Sequence, residues 1–220
     1  MLDGLDDISW RRLSHAYGSA SDVPGHLRAL LSDDEGVRRM ALWQLGGSIV
    51  HQGSRYQASS YAVPFLLEIL AGPSPLTGSE RVRLVELLGE LAIGDPSFYA
   101  PDESGTPGGS GTPGGSGTSG GSEAPGGSVA GLFPLAEIRA EAAEGQALMA
   151  AFEAGTWDGD EFEHYLFGLE EPDQERLGSV LLLRVYEAVQ AGRPLLERLR
   201  EHDPDPRLRE AAVEVLRWLH

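Results

Sequence analysis

Val37, Ala41, Leu45 and Ile49 fall four residues apart, which places them on one face of a helix. Leu84, Val85, Leu87, Leu88, Leu91 and Ala92 make a second, wider stripe, and Leu208, Ala212, Val215, Leu216 and Leu219 a third. Long alternating β-branched runs, the mark of half-buried strands, are missing. The punctuation agrees. Ser21-Asp22 precedes Val23-Pro24, and proline is well tolerated in a helix's first turn. Ala62-Val63-Pro64 and Gly192-Arg193-Pro194 predict helix starts of the same kind without a side-chain cap. The pattern predicts an all-α chain.

Residues 103–128 break the pattern. GTPGGS repeats there, degenerates to GTSGGS and returns as EAPGGS, with 11 of the chain's 29 glycines. Nothing larger than alanine is present to bury, so the segment cannot offset its ordering entropy and reads as a disordered linker. At 26 residues its root-mean-square span would be about 28 Å. Two G-x-G-x-x-G matches (Gly109, Gly111, Gly114; Gly115, Gly117, Gly120) lack the strand and helix of a dinucleotide site and are attributed to low complexity. The linker divides the helical residues into 1–102 and 129–220.

Three prolines open similar units. Residues 23–45 give a short apolar helix, an acidic turn, then Val37, Arg38, Ala41 and Leu45; residues 193–216 give Leu208, Arg209, Ala212 and Leu216 at identical spacing. A middle unit from Val63 follows the plan with a longer turn and a weaker match at Val82-Arg83. Pro24 to Pro64 is 40 residues, the period of helix–turn–helix repeats. The turns Ser32-Asp33-Asp34-Glu35 and His202-Asp203-Pro204-Asp205-Pro206, each followed by [VL]-R and A-x-x-x-L, resemble HEAT repeats in their short bacterial form. The stretch from Ser9-Trp10 through SHAYGSASDVP and HQGSRYQASSYAVPFL resembles actinobacterial HEAT-repeat proteins. The resemblance covers residues 5–95 and 180–220; residues 132–178 match no repeat consensus. It implies an armadillo-like α-solenoid interrupted by the linker, with Asp34 and Arg38, and Asp205 and Arg209, stabilising the stack by hydrogen bonds and ion pairs.

Composition removes much chemistry. All 17 basic residues are arginine, and lysine and cysteine are absent. Lysine Schiff bases, P-loop phosphate contacts, thiol nucleophiles, disulfides and thiolate metal sites are therefore excluded. No G-x-S-x-G elbow and no nucleophile–base set is found, so the chain reads as a non-enzyme without cofactors. With 34 acids the net charge is −17, which disfavours nucleic acid and anionic membranes and favours basic partners. The start, MLDGLDDISW, has no signal-like apolar core, and no apolar run approaches ~20 residues, so a cytoplasmic location without a membrane partner is expected.

Two groups of side chains stand out. His15, Tyr17, His51, Gln52 and Tyr56 lie near predicted helix ends and could form a polar recognition edge, or simply cap those ends. No histidine pair at metal-ligand spacing exists, so no metal is assigned. Residues 137–175 carry 12 carboxylates and one arginine. Asp158, Asp160, Glu161 and Glu163 at their centre could dock a basic partner, whereas Phe162, Tyr165, Leu166 and Leu169 have the spacing of a buried face. The expected function is protein–protein recognition of a basic partner, in a concrete version an antitoxin or immunity-like role. The alternatives are a scaffold of two half-solenoids on a tether, or an enzyme or nucleic-acid solenoid like the DNA-alkylation-repeat proteins. The last needs arginines 28, 38, 39, 55, 81 and 83 to converge on one face.

Overall fold

A computed structural model describes residues 1–94, 133–155 and 157–219. The linker assigned to 103–128, with its two glycine-rich matches, lies outside the described residues. Helices dominate the rest: α1 (Val23–Ala29), α2 (Glu35–Ser48), α3 (Gln57–Ala71), α4 (Gly78–Ile93), α5 (Leu135–Ala154), α6 (Phe162–Phe167), α7 (Glu171–Ala191), α8 (Arg193–His202) and α9 (Pro206–Leu216). None of the described helices is long and apolar enough to cross a membrane.

The three proline-led units become the helix pairs α1–α2, α3–α4 and α8–α9. α9 packs on α4, α7 lies along α3 and α4, and α5 packs on α7. One apolar core therefore runs from Leu5 and Trp10 through Leu45, Leu66 and Leu88 to Tyr186, Leu208 and Trp218. Side chains from both sides of the linker fill it. The stretch that matches no repeat consensus contributes α5, α6 and the start of α7, which close a smaller cluster of Ala142, Met149, Phe152, Phe162, Leu177, Val180 and Leu181. Tyr165, Leu166 and Leu169 pack against that cluster, as the buried-face spacing predicts.

The pairs share a local device. Asp34 caps α2 by accepting the Val37 N–H at 3.1 Å, and Asp205 caps α9 by accepting the Arg207 N–H at 3.0 Å. Arg38 donates to the carbonyls of Ser32 and Asp33, each at 3.0 Å; Arg209 donates to those of Asp203 and Pro204 at 2.7 and 3.4 Å. The arginine-to-carbonyl offsets, six and five residues back, are the same in both pairs. The arginines thus hold turn carbonyls while the aspartates cap, where the family resemblance had implied contacts between the two. Counting from the Thr77 cap of α4, the equivalent arginine is Arg81, two residues before the expected Arg83. Two ion pairs then join neighbouring helices. Arg38 Nε meets both Glu80 oxygens at 3.1 Å, and Arg81 reaches Asp203 at 2.8 Å. Burial raises the Glu80 carboxyl, but the Thr77 N–H and hydroxyl and the Arg38 guanidinium outweigh it and leave the group below the usual glutamate value.

Three local expectations change. Val37 is exposed, and Arg38 takes the buried place beside Ala41 and Leu45 because Glu80 and two carbonyls satisfy its charge. α3 starts at Gln57 rather than near Pro64, because Ser59 Oγ accepts the Tyr56 N–H at 2.8 Å and starts the helix a turn and a half earlier. Burial of Ala58, Ala62, Phe65, Leu66 and Ile69 offsets the roughly 3 kcal/mol cost of an internal proline. Finally, two hairpins form: β1 (Ser14–His15) with β2 (Gly18–Ser19), and β3 (Val50–His51) with β4 (Ser54–Arg55). Two-residue strands are too short to leave an alternating signature.

Candidate recognition surface

The hairpins bring the five edge residues into one neighbourhood. His51 follows the end of α2 as expected, whereas His15 sits in β1 and not at a helix end. The second hairpin turns on Gln52-Gly53, with φ of +49° and +79°. Positive φ at both central positions is the turn geometry that matches strand twist, and glycine adopts it without strain.

His15 is nearly buried. Its Nδ1 accepts the Tyr17 N–H at 3.1 Å, so Nε2 carries the proton and donates to Asp22 at 3.0 Å. Asp22 also meets His26 Nε2 at 3.3 Å. The result is a fixed perch for Tyr17, a residue 69% exposed. It meets the His15 ring edge-on at 6.0 Å and the His51 ring at 5.6 Å. An open groove of about 660 Å³ begins here, between α2 and α4, with Trp43, Arg39 and Arg83 along it. Tyr56 is half-buried; burial raises its phenol, and the Glu163 carboxylate and Tyr17 add to the rise. Tyr56 therefore lies within electrostatic reach of Glu163. The edge and the acidic segment, read separately from the sequence, adjoin in the fold.

Most of the acidic quartet has internal work. Asp158 accepts the Asp160 N–H at 3.1 Å and stands 3.8 Å from Arg11; Glu161 accepts the Asp158 N–H at 2.9 Å. Asp160 accepts the Ser19 N–H at 2.6 Å. Arg12 donates to the carbonyls of Glu153 and Gly155 at the end of α5. Gly159 makes the approach possible: a Cβ there would lie 2.0 Å from the Leu13 carbonyl oxygen. These contacts clasp the α5–α6 turn onto the first hairpin. Glu163 is exposed on α6 beside this clasp.

Each arginine that a basic groove would need has an internal partner. Arg28 pairs with Asp6, Arg38 with Glu80, Arg39 with Glu35, Arg81 with Asp203, and Arg83 with Glu86 and Glu90. Arg55 donates to the carbonyls of Leu91, Gly53 and Glu90. Among the described residues no cluster of three or more metal-ligating side chains occurs. Sequence reasoning passed over Trp43, 70% exposed on α2. Its signal was there: Ala41, Leu45 and Ile49 define the buried face, and positions 40, 43 and 47 fall opposite. It also passed over Gln57, which accepts the Ser14 N–H at 3.2 Å and ties α3 to the first strand.

Comparison with protein-family models, curated proteins and solved structures found no match.

Proposed function

We propose that this chain is a HEAT-type helical-repeat module that binds a basic segment of another protein along the Tyr17–His51–Tyr56–Glu163 edge. The observation that carries the reading is Tyr17. An aromatic ring that is mostly exposed yet held through its own backbone by His15 costs little entropy to dock against, as recognition anchors require. Glu163, within electrostatic reach of Tyr56, and a net charge of −17 supply the complement for arginine or lysine. Stacked helix pairs with shared caps and the arginine ladder support the repeat reading. The internal partners of Arg28, Arg38, Arg39, Arg55, Arg81 and Arg83 weigh against a phosphate-binding groove.

Peptides selected from a displayed random library against the whole chain test this. The winners should be rich in arginine and lysine, and should weaken as salt rises from about 50 to about 500 mM. Tyr17→Ala and Glu163→Gln should each cost about tenfold or more in affinity. Selected peptides without basic residues, or binding indifferent to both substitutions, would refute the reading.

The tethered-scaffold alternative finds less support. A core shared by Leu88, Tyr186, Leu208 and Trp218 favours one folding unit with an inserted loop.

A further inference from the structure

The contacts of His15 admit one protonation state. A backbone N–H can only donate, so Nδ1 must be bare to accept from Tyr17 at 3.1 Å. Nε2 then carries the ring's single proton and gives it to Asp22 at 3.0 Å. A second proton has only Nδ1 to go to, and there it meets the Tyr17 N–H, donor against donor. The ring is not free to swing aside, because its side chain is 5% exposed and Asp22 holds the far nitrogen. A carboxylate binds an imidazolium more firmly than a neutral imidazole. The same proton therefore tightens the Asp22 end of the ring and breaks the Tyr17 end. Imidazole ordinarily takes up that proton between about pH 8 and pH 5.

We propose that His15 is a pH switch for the Tyr17 perch. Neutral, it holds the Tyr17 backbone in the docking position; protonated on Nδ1, it releases that backbone while staying bound to Asp22. The release is local. Tyr17 is exposed, so its freed N–H passes to water, and the turn stays anchored by the Ala16 N–H on the Ser48 carbonyl at 2.9 Å and by the pairing of Ser14 with Ser19. Other titratable and charged groups surround the hairpin. His26 shares Asp22 at 3.3 Å, and His51 meets the Tyr17 ring at 5.6 Å. Tyr56 stands at the start of α3, Asp158, Asp160 and Glu161 lie in the turn before α6, and Arg11 and Arg12 precede β1. Among the described residues the Tyr17 N–H is bonded to His15 alone, so a substitution at His15 separates the switch from all of these.

The switch rests on the recognition reading for its consequence and not for its mechanism, so it is tested first without a partner. Nitrogen-15 spectra of the free chain from about pH 8 to about pH 5.5 follow both His15 ring nitrogens and the Tyr17 amide together. Nδ1 should gain its proton and the Tyr17 amide should shift with the same midpoint. In His15→Asn the amide should stay in place, because an asparagine oxygen accepts the N–H two residues on and takes up no proton. Asp22→Asn keeps an acceptor for Nε2 but removes the charge, and should move the shared midpoint to lower pH. The basic peptides selected against the whole chain should then bind about three- to tenfold more weakly at the acid end, the worth of one hydrogen bond, with His15→Asn losing less. A Tyr17 amide that stays in place while Nδ1 gains its proton overturns the proposal, as does an Nδ1 that gains none over this range. Equal acid weakening in wild type and His15→Asn overturns it as well. Failure to select any basic peptide would refute the recognition reading instead, and the spectra would still decide the switch.

Discussion

Replacing Arg38 by methionine removes a charge that is 4% exposed from a carboxylate that is 7% exposed. Methionine keeps the length of the stem and loses every donor. Both Nε contacts to Glu80 at 3.1 Å go, as do the bonds to the Ser32 and Asp33 carbonyls at 3.0 Å. Glu80 keeps only the Thr77 N–H at 2.7 Å and hydroxyl at 2.9 Å. A buried ion stripped of its partner costs about 3–5 kcal/mol, or roughly 6–20 °C in Tm for a chain of this size. Arg38→Met/Glu80→Met should recover most of that loss, because replacing both ions by apolar groups is often near neutral. Urea melts of the two single variants and the double variant give the coupling directly. The pH dependence has a definite sign. Glu80 titrates below its unfolded value, so its contribution is complete above the ordinary glutamate range and is lost as pH falls through its lower folded value. In Arg38→Met the burial of Glu80 is less well offset, its carboxyl rises, and the gap from wild type should narrow on acidification. A loss below about 1 kcal/mol for Arg38→Met, or strictly additive losses in the double variant, would refute a buried ladder between α2 and α4.

Gly159→Ala forces a Cβ against the Leu13 carbonyl oxygen and should open the clasp, seen as faster amide exchange at Ser19 with α2 protection unchanged. Gly53→Val places a β-branched residue at φ +79° and should cost about 1–3 kcal/mol in thermal melts. Proteolysis within residues 105–127 should leave two fragments that co-migrate and melt as one cooperative unit, because the core spans both. Two separately folded pieces would revive the tethered scaffold. Asp203→Asn should destabilise by leaving Arg81 without a carboxylate, and calorimetry would show it as a lower Tm.

The apolar helix faces and the starts of α1 and α8 were legible because they depend on local rules. A four-residue apolar period means the same thing in most surroundings, whereas Asp22, read as a cap before α1, makes no cap bond and turns to His15 and His26 instead. Leu84, Val85, Leu87, Leu88, Leu91 and Ala92, and Leu208, Ala212, Val215, Leu216 and Leu219, are buried as their spacing requires. The exclusions drawn from missing lysine and cysteine also needed only the sequence. What involved contacts between distant residues did not show. Arg38 and Glu80 are 42 positions apart, and Ser19 and Asp160 are 141 apart. No local pattern announces that an arginine will be buried, since its burial becomes tolerable only once a carboxylate and two carbonyls have been brought to it. The acidic quartet shows the same thing from the other side. Its charge was evident along the chain, but folding directed Asp158, Asp160 and Glu161 to caps and the hairpin clasp, and left Glu163 exposed beside Tyr56. Sequence alone determined which faces are apolar and where α1 and α8 begin, but not where α3 does. Tertiary packing decided which charges are spent inside and which aromatics, Tyr17 and Trp43 among them, remain exposed.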